Sequence, residues 1–246
     1  MGTREAWQAL LAKLEVNRSK TIQTLGEEKA FHMLDVHECA LSELRAAVEA
    51  CYGPGELASS LLYAHIPSLL AELAWAQLAF LSANYPSAFR CLRFSLELAC
   101  RSRLVDLAYP SGPVEKKLVK AAVLEKKRKL PKGWALVKKA LGALRDFELE
   151  REERLRLRRA WRTMNKHAHP SFAVGSGAQG APWQPWSFDE NLAQAVLTVS
   201  DAVYDAILLL LLDAFPKARG RVTALLQARG WGEHLPMTYR YLRNPV

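Results

Sequence analysis

The stretch VLTVSDAVYDAILLLLLDAF, residues 196–215, decides how the rest of the chain is interpreted. It is as apolar as a membrane span, but it carries Asp201, Asp205 and Asp213, and carboxylates at such depths are costly in lipid. We therefore expect a central helix of a soluble bundle, and we expect the same of the apolar residues 61–80. The first residues, MGTREAW, lack the apolar segment of a secretion signal. The sequence thus predicts a cytoplasmic protein with no membrane span.

Helical periodicity extends outward from this stretch, and strand-like alternation is almost absent. Turn signals predict helices at residues 3–25, 27–52, 56–83, 86–109, 114–128, 134–166 and 188–215, followed by a short basic helix. Pro67 is expected to kink the third helix, and Ser187 with Glu190 to form a capping box. Residues 171–186 are expected to be one long loop. The predicted fold class is all-α, a helical bundle of about seven to nine helices in one elongated domain.

Three parts are expected within this domain. Residues 1–86 supply N-terminal helices that pack on the bundle, residues 87–216 form the core with its basic helices, and residues 217–246 form a basic C-terminal extension. The cysteines show no CxxC spacing and lie in apolar helical patterns, so we expect buried free thiols. They are Cys39, Cys51, Cys91 and Cys100.

Positive charge is concentrated in the middle of the chain. The formal net charge is +9, and residues 113–144 alone hold ten basic and two acidic residues, or +8. An excess of this kind suits an anionic partner such as nucleic acid. We single out Lys126, Lys127 and Lys129 as candidates for phosphate contacts. The alternative is a solvated basic surface with no partner.

A charged stripe marks the fourth predicted helix, which is otherwise largely apolar. Arg90, Arg93, Glu97 and Arg101 are spaced by three, four and four residues, so they share one narrow face. Arg93 and Glu97 have the i,i+4 spacing of a helical ion pair. This stripe faces a partner or a polar cleft if it is functional, and open solvent if it is the outer side of an amphipathic helix.

The segment RRAWRTMNKHAHPS, residues 158–171, carries the residue types that phosphodiester chemistry uses. Arg159, Arg162 and Lys166 share a helical face and supply fixed cations, which stabilise charge on phosphate. His167 and His169 follow where Pro170 must end the helix, and a neutral imidazole can accept a proton from a 2′-hydroxyl. Asn165 is placed to orient either group. The alternative is that these residues only close a helix, where cations suit the C-terminal dipole.

Three short motifs resemble the HEPN family, the higher eukaryote and prokaryote nucleotide-binding helical domains. Arg162-x4-His167 resembles the Arg-x(4–6)-His signature of these domains. Residues 165–171, NKHAHPS, are similar to an (S/N)-K-x-x-H-P-S ending in related bacterial and archaeal helical proteins. Arg93-Phe-Ser-Leu-Glu97 looks like the R-x-x-x-E core of their upstream helix. The resemblance covers about residues 87–215.

This resemblance implies a dimeric helical bundle that binds RNA or nucleotides, often as a metal-independent RNase of toxin–antitoxin or defence systems. Arg162 and His167 would then be the catalytic pair, meeting across the two-fold cleft of a homodimer. By the second motif, His169 is the matching histidine. Thr163 stands where active members usually carry Asn, Asp or His. A non-catalytic helical interaction protein with a degenerate motif is the alternative.

We predict neither a metal nor another cofactor. His167 and His169 offer two ligands, but no third ligand stands at a recognisable spacing. His32 and His37 are five residues apart, on different faces of an α-helix, and are expected to be structural. His65 is expected to be a hydrogen-bonded core histidine.

Overall fold

The computed structural model describes residues 3–145, 147–168 and 187–243, and every regular element in these ranges is a helix. The predicted all-α class is therefore confirmed. The expected count of seven to nine helices is wrong, because the described ranges contain thirteen α-helices, one π-helix and two 3-10 turns. Single turns of helix account for part of the difference.

The helices of the N-terminal part are α1 Thr3–Leu25, α2 Glu27–Ala30, π1 Met33–Glu38, α3 Cys39–Cys51, α4 Pro54–Leu57, α5 Leu61–Ala64 and α6 Ile66–Leu81. The remaining helices are α7 Tyr85–Ala108, α8 Val114–Lys126, α9 Trp134–Leu141, α10 Arg151–Ala168, α11 Glu190–Ala214, α12 Arg219–Arg229 and α13 Pro236–Arg243. The 3-10 turns are Pro216–Ala218 and Trp231–Glu233.

Helix α11 is the buried central helix of the protein. Every residue from 202 to 213 is buried, as expected of a helix that is apolar on all sides. By length and composition α11 could cross a membrane, yet 83% of its most apolar window is buried inside the protein. Helix α7 packs against α11, α6, α9 and α10. One hydrophobic cluster extends from Ala30 to Tyr241 and draws on all three parts of the chain.

The third predicted helix is divided, because side chains satisfy backbone donors at an internal helix start. Ser60 caps α5, and the carboxylate of Asp106 on α7 accepts hydrogen bonds from the Leu61 and Leu62 amides at 2.9 and 3.0 Å. Lys117 neutralises this carboxylate at 2.7 Å. Pro67 lies in the first turn of α6, where its missing amide hydrogen costs nothing, and so it begins a helix instead of kinking one.

The long charged helix expected from residue 134 to 166 is also divided. It ends at Leu141 and resumes at Arg151. Asp213 of α11 holds the intervening segment, since its buried carboxylate accepts a hydrogen bond from the Arg145 amide at 2.7 Å and pairs with buried Arg103. This contact joins residues 68 positions apart, so local sequence patterns do not predict it.

Two further details differ from expectation. Asp189, not Ser187, caps α11, because its carboxylate accepts a hydrogen bond from the Leu192 amide at 3.0 Å.

Among the cysteines, Cys100 is buried as expected, whereas Cys39 is exposed and Cys51 and Cys91 are partly exposed. The loop expected at residues 171–186 lies outside the described residues.

Candidate functional site

The cationic row predicted on α10 lies at the surface. Arg159, Arg162 and Lys166 are exposed, while Trp161 and Met164 on the opposite face are buried in the core. The helix therefore has the amphipathic pattern that its sequence indicates, with its positive side free to meet an anion.

His167 occupies a different environment from the row. Its ring stacks on Phe89 of α7, with centroids 5.2 Å apart and the planes 25° from parallel. Burial and the charge of neighbouring Lys166 lower the pKa of His167, so its imidazole is neutral at pH 7. Arg162 is five residues away, about 140° around an α-helix, so one chain does not aim both side chains at one point. Asn165 is partly buried, and His169 lies outside the described residues.

The charged stripe of α7 contacts α10. Arg93 Nε donates to Glu97 Oε1 at 3.0 Å, which confirms the predicted i,i+4 pair. The Arg93 guanidinium also lies 5.2 Å from the ring centroid of Trp161, and both charged side chains are only about a quarter exposed. This part of the stripe therefore faces a neighbouring helix, and it supports Trp161, the residue next to Arg162.

A groove between α9 and α10 was not anticipated from the sequence. Its volume is about 590 Å³, and leucines and Phe147 form part of its lining. Its polar and aromatic lining comprises Trp134, Lys138, Glu148, Arg151, Arg154 and Arg158. Four cations against one carboxylate give the groove a positive potential. The three arginines follow the 3,4 spacing of a helix face, but intervening glutamates obscure this pattern in the sequence.

The end of α8 adds to the exposed positive surface. Lys126 ends the helix, Lys127 caps it, and Lys129 follows after a residue in the left-handed region, Arg128 at φ 53°. All three lysines are exposed, as a phosphate-contacting role requires.

Three histidines converge on one carboxylate elsewhere in the protein. Asp201 Oδ1 on α11 lies 2.5 Å from His32 Nε2 and 3.0 Å from His37 Nε2. Its Oδ2 lies 3.7 Å from His234 Nδ1, which follows the Trp231–Glu233 turn. The His32 and His234 rings are 4.4 Å apart between centroids. This histidine cluster (His32, His37, Asp201 and His234) joins the N-terminal part, the central helix and the C-terminal extension.

The expectation that His32 and His37 lie on different helix faces is wrong. Residues 33–38 form a π-helix, whose i→i+5 hydrogen bonds bring residues five apart into register. In an α-helix, residues five apart would instead point about 140° away from each other. Asp201 and His234 are remote in sequence from both, so no spacing rule could have found the cluster.

Burial sets the protonation of this cluster. His37 is completely buried and stacks on Tyr204, and burial lowers its pKa to about 4 despite the neighbouring Asp201. Burial alone would raise the pKa of Asp201, but hydrogen bonds from His32 and His37 hold it well below its usual range. At neutral pH the cluster therefore contains an ionised carboxylate beside a neutral, buried imidazole.

We expect His37 to make the protein less stable in acid. Its pKa is depressed from 6.5 to about 4, so its contribution is fully present above pH 6.5 and is lost as the pH falls toward 4. The lowering of the His37 pKa between the unfolded and the folded state corresponds to a loss of about 3 kcal/mol of unfolding free energy at low pH. Urea unfolding of the wild type and His37→Gln between pH 7.5 and 4.5 measures it. Equal pH dependence in the two proteins would contradict this assignment.

No protein-family model, curated protein or solved structure matches the chain. The resemblance to HEPN domains accordingly depends on the residues of its three short motifs alone.

Proposed function

We propose that this chain is an RNA-binding protein that holds single-stranded RNA along the groove between α9 and α10. The observation that carries the proposal is the combination of Lys138, Arg151, Arg154 and Arg158 with an aromatic residue, Trp134, around one groove. Arginine and lysine bind phosphate oxygens, and an aromatic ring offers a stacking surface for a base. The same pairing of a cationic track and an aromatic platform is typical of single-strand binding proteins.

The size and surroundings of the groove agree with this occupant. Its volume of about 590 Å³ is in the range of small-molecule and nucleotide sites. The exposed row of Arg159, Arg162 and Lys166 continues along the same helix, so a strand that leaves the groove still meets positive charge. The exposed lysines at the end of α8 add to the positive charge of the protein surface. HEPN-like RNA or nucleotide binding, implied by the three short motifs, is the same class of function.

Charge reversal in the groove should weaken RNA binding. We expect Arg158→Glu to raise the Kd for a fluorescein-labelled single-stranded RNA by about tenfold or more, because one attraction becomes a repulsion. With about four phosphates neutralised, the log–log salt slope should be about −3, or about a 50-fold loss of affinity between 50 and 200 mM salt. Fluorescence anisotropy measures both quantities.

Arg4→Glu on α1 is the matched control, since Arg4 is exposed and changes the net charge equally but lies outside the groove. Combined reversal of Lys126, Lys127 and Lys129 should weaken binding to all RNA sequences alike. Equal effects of Arg158→Glu and Arg4→Glu would mean that only net charge matters, and RNA affinity insensitive to salt would overturn the proposal.

Cleavage of the bound RNA is a second candidate function, favoured by the neutral state of His167. An imidazole that stays unprotonated at pH 7 is suited to remove a proton from a 2′-hydroxyl. Because Arg162 and His167 diverge on one helix, we place the reaction in a homodimer, where Arg162 of one protomer faces His167 of the other. The proposed cleavage reaction needs no metal. The alternative is a non-catalytic interaction protein with a degenerate motif.

A further inference from the structure

We propose that His32, Asp201 and His234 form a binding site for a divalent transition-metal ion of the zinc class. Each of the three residues offers one ligand atom, and these atoms all lie within 4.8 Å of one another. Ligands at zinc distances of 2.0–2.2 Å in a tetrahedron are about 3.4 Å apart, so small side-chain rotations suffice. This inference is independent of RNA binding, because none of these residues lines the groove.

The chemistry of the ligands selects the class of ion. Two imidazoles and one carboxylate are the ligand types that zinc and its neighbours prefer, whereas magnesium and calcium favour oxygen alone. The ionised Asp201 supplies the negative charge that offsets part of the ion's charge. On binding, the ion replaces the hydrogen bond between His32 Nε2 and Asp201, and the ring proton of the neutral imidazole is carried on Nδ1, the nitrogen that does not bind the ion.

His37 fits the role of an outer-shell residue. Its Nε2 lies 3.0 Å from the Asp201 carboxylate, and its completely buried ring is fixed by stacking on Tyr204. Outer-shell hydrogen bonds of this kind orient ligands and are worth about 10–100-fold in metal affinity. The π-helix is what places this support one turn from His32, and such helices occur frequently at functional sites.

The site is accessible from one side. The Asp201 and His234 side chains are 22% and 40% exposed, while His32 is only 10% exposed. A bound ion would therefore have three protein ligands and one position open to water. This arrangement is typical of catalytic zinc sites, whereas structural zinc sites usually have four protein ligands. It would also tie the C-terminal extension, through His234, to the N-terminal π-helix and to α11.

Zinc titration of the chelator-treated full chain, in competition with a chromophoric chelator, tests the proposal. We expect one zinc ion per chain, a Kd at least 100-fold weaker in Asp201→Asn and in His234→Ala, and visible Co²⁺ bands of four- or five-coordination. Hydrogen exchange should slow at residues 32–38 and 231–236 on adding zinc to the wild type. The partly exposed position of His234 keeps the His234→Ala variant informative even if Asp201→Asn is unstable.

Two controls separate this site from adventitious binding. His167→Ala removes a partly buried histidine on another helix, and Cys39→Ser removes an exposed thiol close to His37 in sequence; both variants should keep wild-type affinity. Absence of stoichiometric zinc binding in the wild type would overturn the proposal. Unchanged zinc affinity in the folded His234→Ala variant would also overturn it. The same holds if Cys39→Ser loses zinc binding while Asp201→Asn and His234→Ala keep it.

Discussion

Replacing Asp213 by Ala is expected to lower the unfolding free energy by about 3–5 kcal/mol, because it leaves the buried guanidinium of Arg103 without its counter-charge. Arg103 and Asp213 are 5% and 2% exposed, and their side chains form a direct ion pair. Asp213 also accepts the Arg145 amide hydrogen bond at 2.7 Å. The variant therefore loses a charge partner and a backbone anchor at once. Urea unfolding at pH 7 measures the change.

The exposed pair Arg18–Glu15, 3.5 Å apart, provides the control. Glu15→Ala should change stability by less than about 1 kcal/mol, since surface pairs contribute little. The double variant Arg103→Met with Asp213→Leu should recover most of the loss, because it removes both buried charges together. A loss below about 1 kcal/mol in Asp213→Ala would show that Arg103 finds another partner or water.

The same residue affects the groove. Asp213 anchors the backbone at Arg145, within the segment whose Gly142, Phe147 and Glu148 line the groove. A buried carboxylate in the central helix therefore helps to shape a surface site on two other helices. These contacts account for a carboxylate within an apolar run, because Asp213 pairs with the buried Arg103 guanidinium and accepts a hydrogen bond from the Arg145 amide.

The parts of the fold that sequence predicts are those fixed by local rules. Helix α1 was expected at residues 3–25 and occupies them, and α7 ends at the expected turn beside Tyr109. The apolar run at residues 196–215 forms the central helix, because a helix with no polar face can be stable only when it is surrounded. The Arg93–Glu97 pair follows from i,i+4 geometry alone.

The parts that sequence reasoning missed depend on contacts between distant residues. Asp106 starts α5 from a position about 45 residues away, and Asp213 interrupts the expected helix before α10 from about 68 residues away. The π-helix changes which residues share a face, so His32 and His37 meet although α-helical periodicity separates them. Neither effect leaves a periodic pattern, which is why the histidine cluster and the groove emerge only in three dimensions.

For the proposed cleavage reaction, replacing His167 by Ala is expected to reduce the rate by about 10²–10⁴-fold, because a general base usually contributes that much. Single-stranded RNA should be cleaved and the DNA of the same sequence should not, since the proposed reaction needs a 2′-hydroxyl. RNA affinity and folding should change little, because His167 lies outside the groove. His169, which matches the second motif, is the other histidine to replace. Activity of the wild type should persist with chelators present.

The pH profile tests the role of His167 itself. A base works when unprotonated, and burial and Lys166 lower the pKa of His167, so activity should persist below the ordinary histidine pKa of about 6.5 and fall only at lower pH. A rate that falls below pH 7 with an ordinary histidine profile would point to an exposed base elsewhere.

Mixing two inactive variants tests the two-fold site. An Arg162→Ala protomer retains His167, and a His167→Ala protomer retains Arg162, so a mixed dimer contains one complete site if the pair forms between protomers. Random exchange makes half of the dimers mixed, each with one of two sites intact, and should restore about a quarter of the wild-type activity. If both groups act within one chain, mixing restores nothing, because every chain lacks one of them. Full activity in both His167→Ala and His169→Ala would overturn the assignment of the general base to either histidine.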